Sequence, residues 1–95
     1  MKNNIEQYKK EIIDVLGKIA YDKEILSLFV RDILTPREFD NLAIRWQIVK
    51  RLANKENHQA IAEALHLGVA TVTRGSRELR KKEGGFQKTL KKLTK

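Results

Sequence analysis

Residues 61–79, IAEALHLGVATVTRGSREL, carry apolar side chains at helical spacing on both sides of a break at His66-Leu67-Gly68. Ile61, Ala62 and Leu65 precede the break; Val69, Val72 and Leu79 follow it, with the small Ser76 between the last two. Two short helices joined by a three- or four-residue turn make a helix-turn-helix. Ala62 supplies the small residue where such helices cross, and Val72, ten residues later, sits where the second helix turns back into the core. That second helix is built from poor helix formers. Val69, Thr71, Val72 and Thr73 are β-branched and lose rotamer freedom in a helix, and Gly75 costs about 1 kcal/mol against alanine. Such a composition suits a surface that is read rather than one that is merely stable. A reading helix presents short side chains to base edges near its N-terminal end. Val69 and Ala70 offer methyl groups for thymine, Thr73 offers a hydroxyl, and Thr71 lies nearer a phosphate. A buried helical hairpin has similar spacing, so the pattern alone does not decide between the two.

Charge tips the balance toward a polyanion. Of the net +8, residues 1–68 hold almost none, with 11 lysines and arginines against 10 acids. Residues 69–95 carry 9 basic residues against Glu78 and Glu83 alone. Positive charge gathered at one end, next to a helix-turn-helix, is the footprint of nucleic acid. Other classes fall away. The chain has no cysteine, and its two histidines, His58 and His66, have no nucleophile or carboxylate pair at recognisable spacing, which argues against an enzyme and against a metal site. No cofactor is expected. The N-terminal MKNNIEQYKKEII lacks the apolar run of a signal peptide, and no segment approaches a membrane span, so a cytoplasmic protein is expected.

The remaining punctuation predicts an all-α chain of about six helices. The first runs from about Asn4 to Ala20, with Ile5, Ile12, Leu16 and Ile19 on one stripe. Asp22 caps a second that carries Ile25, Leu26, Leu28, Phe29 and Ile33. LTPRE then gives Thr35 as N-cap, Pro36 at the first helical position and Glu38 three residues after the cap, a capping box. That helix fades at Ala53-Asn54, Asn57 caps the first helix of the pair, Gly84-Gly85 ends the second, and Phe86–Leu93 forms a basic last helix. The first two helices lack a polar face wide enough for a free surface, and 41% hydrophobic content is generous for 95 residues, so burial between subunits is expected. Trp46 belongs to the core or the dimer interface rather than to a base-stacking platform. The chain is expected to be a single domain, 1–95, with dimerisation helices in 1–54, the helix-turn-helix in 57–82 and a basic helix or tail in 86–95.

LTPRE, Arg45 within IRWQIVKRL, and GVATVTRGS resemble, in order and nearly in spacing, the bacterial Trp repressor family over roughly residues 26–80. The resemblance implies an intertwined homodimer that shares one core and represses transcription from double-stranded operator DNA, with L-tryptophan as corepressor. Carried over residue by residue, it implies that Thr35, Arg45 and Arg74 hold the ligand carboxylate; two guanidinium groups on one carboxylate are sound chemistry. It places Gly75 against the indole ring and the backbone carbonyls of Asp32 and Leu34 at the ligand ammonium. Val69, Ala70 and Thr73 fall at the bases, with Gly68 and Thr71 beside them.

Three positions depart from the family pattern. Glu78 stands where the family has serine; at i,i+4 from Arg74 it holds that arginine in a salt bridge, or accepts the ligand ammonium, or forms a surface ion pair. Ala62 occupies a basic DNA-contacting position, leaving Arg77, Arg80, Lys81 and Lys82 to meet phosphates. His66 replaces a turn glycine, in a left-handed backbone that histidine tolerates better than most residues, and the connection before Asn57 is one residue shorter. Two alternatives stay open: a regulator of the same fold that is ligand-independent or uses another small ligand, and a weakly specific architectural DNA-binding protein.

Overall fold

A computed structural model describes residues 4–94 of the chain. Lys95, the last cation of the basic segment, and residues 1–3 lie outside the described residues. Six helices follow one another: α1 (Ile5–Ile19), α2 (Lys23–Ile33), α3 (Pro36–Ala53), α4 (His58–Leu65), α5 (Val69–Leu79) and α6 (Gly85–Leu93). With no strand among the described residues, the fold is all-α. The chain divides into two compact units, Met1–Phe39 and Asp40–Lys95, with the boundary inside the first turn of α3.

The first unit is set by its caps. The Asp22 carboxylate accepts the Ile25 N–H at 3.2 Å and starts α2. The capping box forms in full: Glu38 N–H donates to Thr35 Oγ1 at 3.1 Å, and Thr35 N–H donates to Glu38 Oε1 at 2.8 Å. Pro36 at the next position gives up no hydrogen bond, because a helix's first N–H groups are orphans in any case. α1 and α2 pack on each other, yet neither holds a buried residue. Ile13 is 66% exposed and Leu28 53%, and Ile5, Tyr8, Ile25 and Ile33 are exposed as well.

The second unit has a core. Ile61 and Val72 are wholly buried, Ile48 and Ala62 nearly so, and Ile44, Leu52, Leu65 and Leu67 pack around them. The four residues therefore join α3, α4 and α5. Ala62 is the crossing residue that the sequence marks, and its burial leaves no place there for a cation. Asn57 caps α4, its side chain accepting the Ala60 N–H at 2.7 Å. α4 ends as expected at His66, whose φ of 58° and ψ of 49° are left-handed. The Leu67 N–H then reaches back to the Ala62 carbonyl at 2.8 Å, closing the helix end.

α5 is shorter than the sequence predicts. It stops at Leu79 rather than running to Gly84-Gly85. Arg80 caps it, Glu83 takes a left-handed φ of 63°, and the Gly84 N–H donates to the Lys81 carbonyl at 3.2 Å. A four-residue turn thus replaces one turn of helix. Gln87 on α6 donates its side-chain N–H to the Leu79 carbonyl, fastening α6 to the end of α5.

Candidate functional site

The rotation of α5 is fixed by Val72, the one residue of that helix that is buried. With Val72 inward, Val69, Ala70, Thr71 and Thr73 stand exposed on the N-terminal half, beside an exposed Gly68. Val69, the first residue of the helix, is a large apolar side chain left 42% exposed. Gly68, the N-cap, has φ −73°, which any residue adopts, and a Cβ there meets no atom within 4 Å. Among the described residues, nothing requires glycine at that position. Thr73 is not isolated: its Oγ1 lies 3.3 Å from His58 Nδ1 at the start of α4.

Further along α5 the charges pair. Lys81 Nζ lies 2.8 Å from Glu78 Oε1. That hydrogen bond, and the Lys81 charge with it, hold the Glu78 carboxyl below the ordinary carboxylate range, with Arg77 adding a smaller pull. The i,i+4 pairing of Glu78 with Arg74 that helix spacing permits is not formed; the carboxylate takes the i,i+3 partner instead. Among the described residues, Arg74 and Arg45 have no carboxylate within 4 Å. Arg80 donates to Ser76 Oγ at 3.1 Å, and Arg77 is exposed.

On the side of α5 toward α3 lies a cleft of about 390 Å³. Arg45, Arg74, Gly75 and Glu78, four of the residues singled out in the sequence, line it together. Its floor is Ile48 and Val49, both buried. Thr71 lines the cleft as well as standing on the exposed half of α5, and Phe86, at the start of α6, completes it. An aromatic directly after Gly84-Gly85 is the only signal of Phe86 in the sequence, and it says nothing of direction. Apolar walls with two guanidinium groups at the rim suit a small ligand that has an apolar body and a carboxylate.

Gly75 has a second role. A Cβ there would stand 2.8 Å from Ile48 Cγ2 and 3.7 Å from Leu52 Cδ1. The glycine lets α5 lie close on α3, a packing reason independent of any ligand.

Thr35, Asp32 and Leu34 belong to the first unit. Thr35 Oγ1 accepts the Glu38 N–H, so its own hydroxyl proton stays available to a carboxylate. Pro36 has no N–H to give the Asp32 carbonyl, and the Glu38 N–H that could reach the Leu34 carbonyl is held by Thr35. Both carbonyls are thus left able to accept from an ammonium. Among the described residues there is no group of metal-ligating side chains and no helix long and apolar enough to cross a membrane.

Comparison with known proteins agrees with the motif. The family model described as Trp repressor protein matches residues 7–94. A Trp operon repressor homolog of Photobacterium profundum is 33% identical over 87 residues, covering 90% of this chain and 84% of its own. A protein of the same description from Mannheimia succiniciproducens is 33% identical over 97 residues, covering 99% of this chain and 92% of its own. One from Haemophilus influenzae is 32% identical over 92 residues, covering 96% and 89%. No solved structure matches.

Proposed function

Since the chain belongs to the Trp repressor family of DNA-binding transcriptional repressors, we propose that it represses transcription from a specific operator when L-tryptophan fills the cleft behind α5. The observation that carries this reading is the cleft itself. Arg45 from α3 and Arg74 from α5 both line it, and among the described residues neither is paired with a carboxylate. Had Glu78 paired with Arg74, a ligand carboxylate would face a competitor; Glu78 pairs with Lys81 instead and leaves Arg74 unpaired. The ligand carboxylate is received by Arg45 and Arg74; in the first unit, the Thr35 hydroxyl and the carbonyls of Asp32 and Leu34 keep free hydrogen-bonding capacity of the kind a carboxylate and an ammonium need. The ring lies along Gly75.

The cleft shares α5 with the DNA surface. Thr71 lines the cleft and stands beside Val69 and Ala70, so a ligand that fills the cleft stiffens the helix that meets the bases. Val69, Ala70 and Thr73 contact base edges, with Gly68 and Thr71 beside them. Gly68, which the fold itself does not require, lets the backbone approach the duplex. Arg77, Arg80 and Lys81 meet phosphates, joined by Lys82, and salt weakens that part of the binding. The exposed apolar faces of α1 and α2 are the dimerisation surface, and two copies place two reading helices on a palindromic site. The protein works in the cytoplasm, where the operator and the free amino acid are both found.

A second reading draws on Gly75. Because Ile48 demands a glycine there with or without a ligand, a regulator of the same fold that needs no corepressor has the same cleft. Affinity for DNA separates the two. With the duplex recovered by the protein from a random-sequence pool, L-tryptophan should tighten binding by roughly tenfold or more, a coupling of ordinary allosteric size. Equal affinity with and without L-tryptophan contradicts the corepressor and favours the ligand-independent regulator.

A further inference from the structure

Thr73 and His58 are fifteen residues apart in sequence and meet across the helix-turn-helix, Nδ1 to Oγ1, at 3.3 Å. Both ends rest on fixed backbone. His58 is the first residue of α4, held in place by the Asn57 cap, and its ring is half-buried. Thr73 follows the wholly buried Val72, which sets the rotation of α5. We propose that His58 is a positioning residue for base recognition, which holds the Thr73 hydroxyl and so decides which hydrogen-bonding role α5 presents to DNA. The inference rests on the reading of α5 as the base-contacting helix.

The chemistry follows from the inventory of the two groups. A threonine hydroxyl has one proton to donate and two lone pairs to accept with, and it rotates to suit its neighbour. In a helix its Oγ1 also divides between two rotamers, one of which bonds back to a carbonyl a turn earlier. Unheld, Thr73 adapts to donors and acceptors alike, and adaptable groups discriminate poorly. A neutral imidazole has one nitrogen that donates and one that accepts. Where Nδ1 accepts, the hydroxyl proton is used, and Oγ1 turns only lone pairs outward, which fits the amino group of adenine or cytosine. Where Nδ1 carries the proton, Oγ1 accepts it and the hydroxyl proton points outward, which fits thymine O4 or guanine O6. The first tautomer leaves Thr73 an acceptor only, whereas the second leaves its proton and one lone pair outward with the proton free to donate, so the ring sets which role dominates. His58 touches no base in this scheme; it acts through Thr73.

The test uses the full chain, saturating L-tryptophan and the duplex that wild-type protein selects from a random-sequence pool, with each base pair then replaced in turn. Thr73→Val, which keeps the shape and loses the hydroxyl, should reduce a preference of roughly tenfold at one base pair to near parity. His58→Phe, a ring without nitrogens, should lose the same preference at that same base pair and leave the others unchanged. His58→Asn, whose side-chain amide sits on the same Cγ as Nδ1 does, should restore most of it. The Thr73→Val, His58→Phe double variant should discriminate no worse than Thr73→Val alone. If His58→Phe keeps full discrimination while Thr73→Val loses it, the inference is overturned and the base-reading helix stands. A uniform loss of affinity for all sequences in His58→Phe also overturns it, since that marks a merely structural clamp. If Thr73→Val changes no position, the base-reading assignment fails and the inference falls with it. Circular dichroism establishes that each variant is folded; should His58→Phe fail to fold, His58→Ala is measured at the same base pair with the same two outcomes.

Discussion

α1 with α2 and α4 with α5 are both pairs of amphipathic helices joined by a short connection, and they meet their apolar faces in opposite ways. The second pair buries Ile61, Ala62 and Val72 within its own unit, using Ile48 of α3 as a third wall. The first pair buries nothing, and leaves Ile13 and Leu28 more than half exposed. Apolar stripes of equal quality in sequence therefore carry different information. In α4 and α5 the stripe specifies an internal core that holds the two helices at a fixed angle. In α1 and α2 it leaves Ile5, Ile13, Ile25, Leu28 and Ile33 facing water, an unfavourable place for side chains of that size. A small domain gains its missing core most simply from a second copy of itself.

Leu28→Glu should break the contrast most strongly. A charge placed on the exposed face of α2 should convert a protein that sediments as a dimer into one that sediments as a monomer, with its helical content retained. Wild-type protein that is already monomeric at micromolar concentration removes the contrast altogether. Next in size, Ile61→Ala empties the middle of the second unit and should cost about 2–5 kcal/mol in urea unfolding, the range for deleting a buried aliphatic side chain. A cost below about 0.5 kcal/mol would show that this core is no more closed than the surface of α1. Smaller again is Gly75→Ala. The added methyl meets Ile48 Cγ2 at 2.8 Å, and overpacking of this kind costs about 1–3 kcal/mol, offset by about 1 kcal/mol of regained helix propensity. A stability raised by that full propensity gain would return Gly75 to a purely ligand-facing role.

Much of the second unit, and the start of every capped helix, is legible in the sequence because the determinants are local. Asp22, Thr35 with Glu38, and Asn57 each bond within three residues, so the residue types and spacing suffice. The left-handed His66 is readable for the same reason, as a break between two apolar stripes. The end of α5 is not. Gly84 and Gly85 look like the terminator, but the chain leaves the helix at Leu79, and the left-handed backbone falls on Glu83. Glu78 shows a different limit. Helix spacing puts Arg74 within its reach, but α5 ends at Leu79 and the carboxylate pairs with Lys81 in the turn beyond. Phe86 in the cleft, His58 on Thr73 and Ile48 against Gly75 all join residues from different helices. Such pairings depend on crossing angles that no local pattern encodes.

The cleft between α3 and α5, proposed above to receive L-tryptophan, is open to calorimetry without interference from the chain's own Trp46. Titration of the wild-type protein with L-tryptophan should give one binding event per subunit, absent in Arg45→Ala, a variant whose exposed side chain is not needed for folding. No heat from the wild-type protein at millimolar L-tryptophan, or undiminished binding in Arg45→Ala, contradicts that proposal.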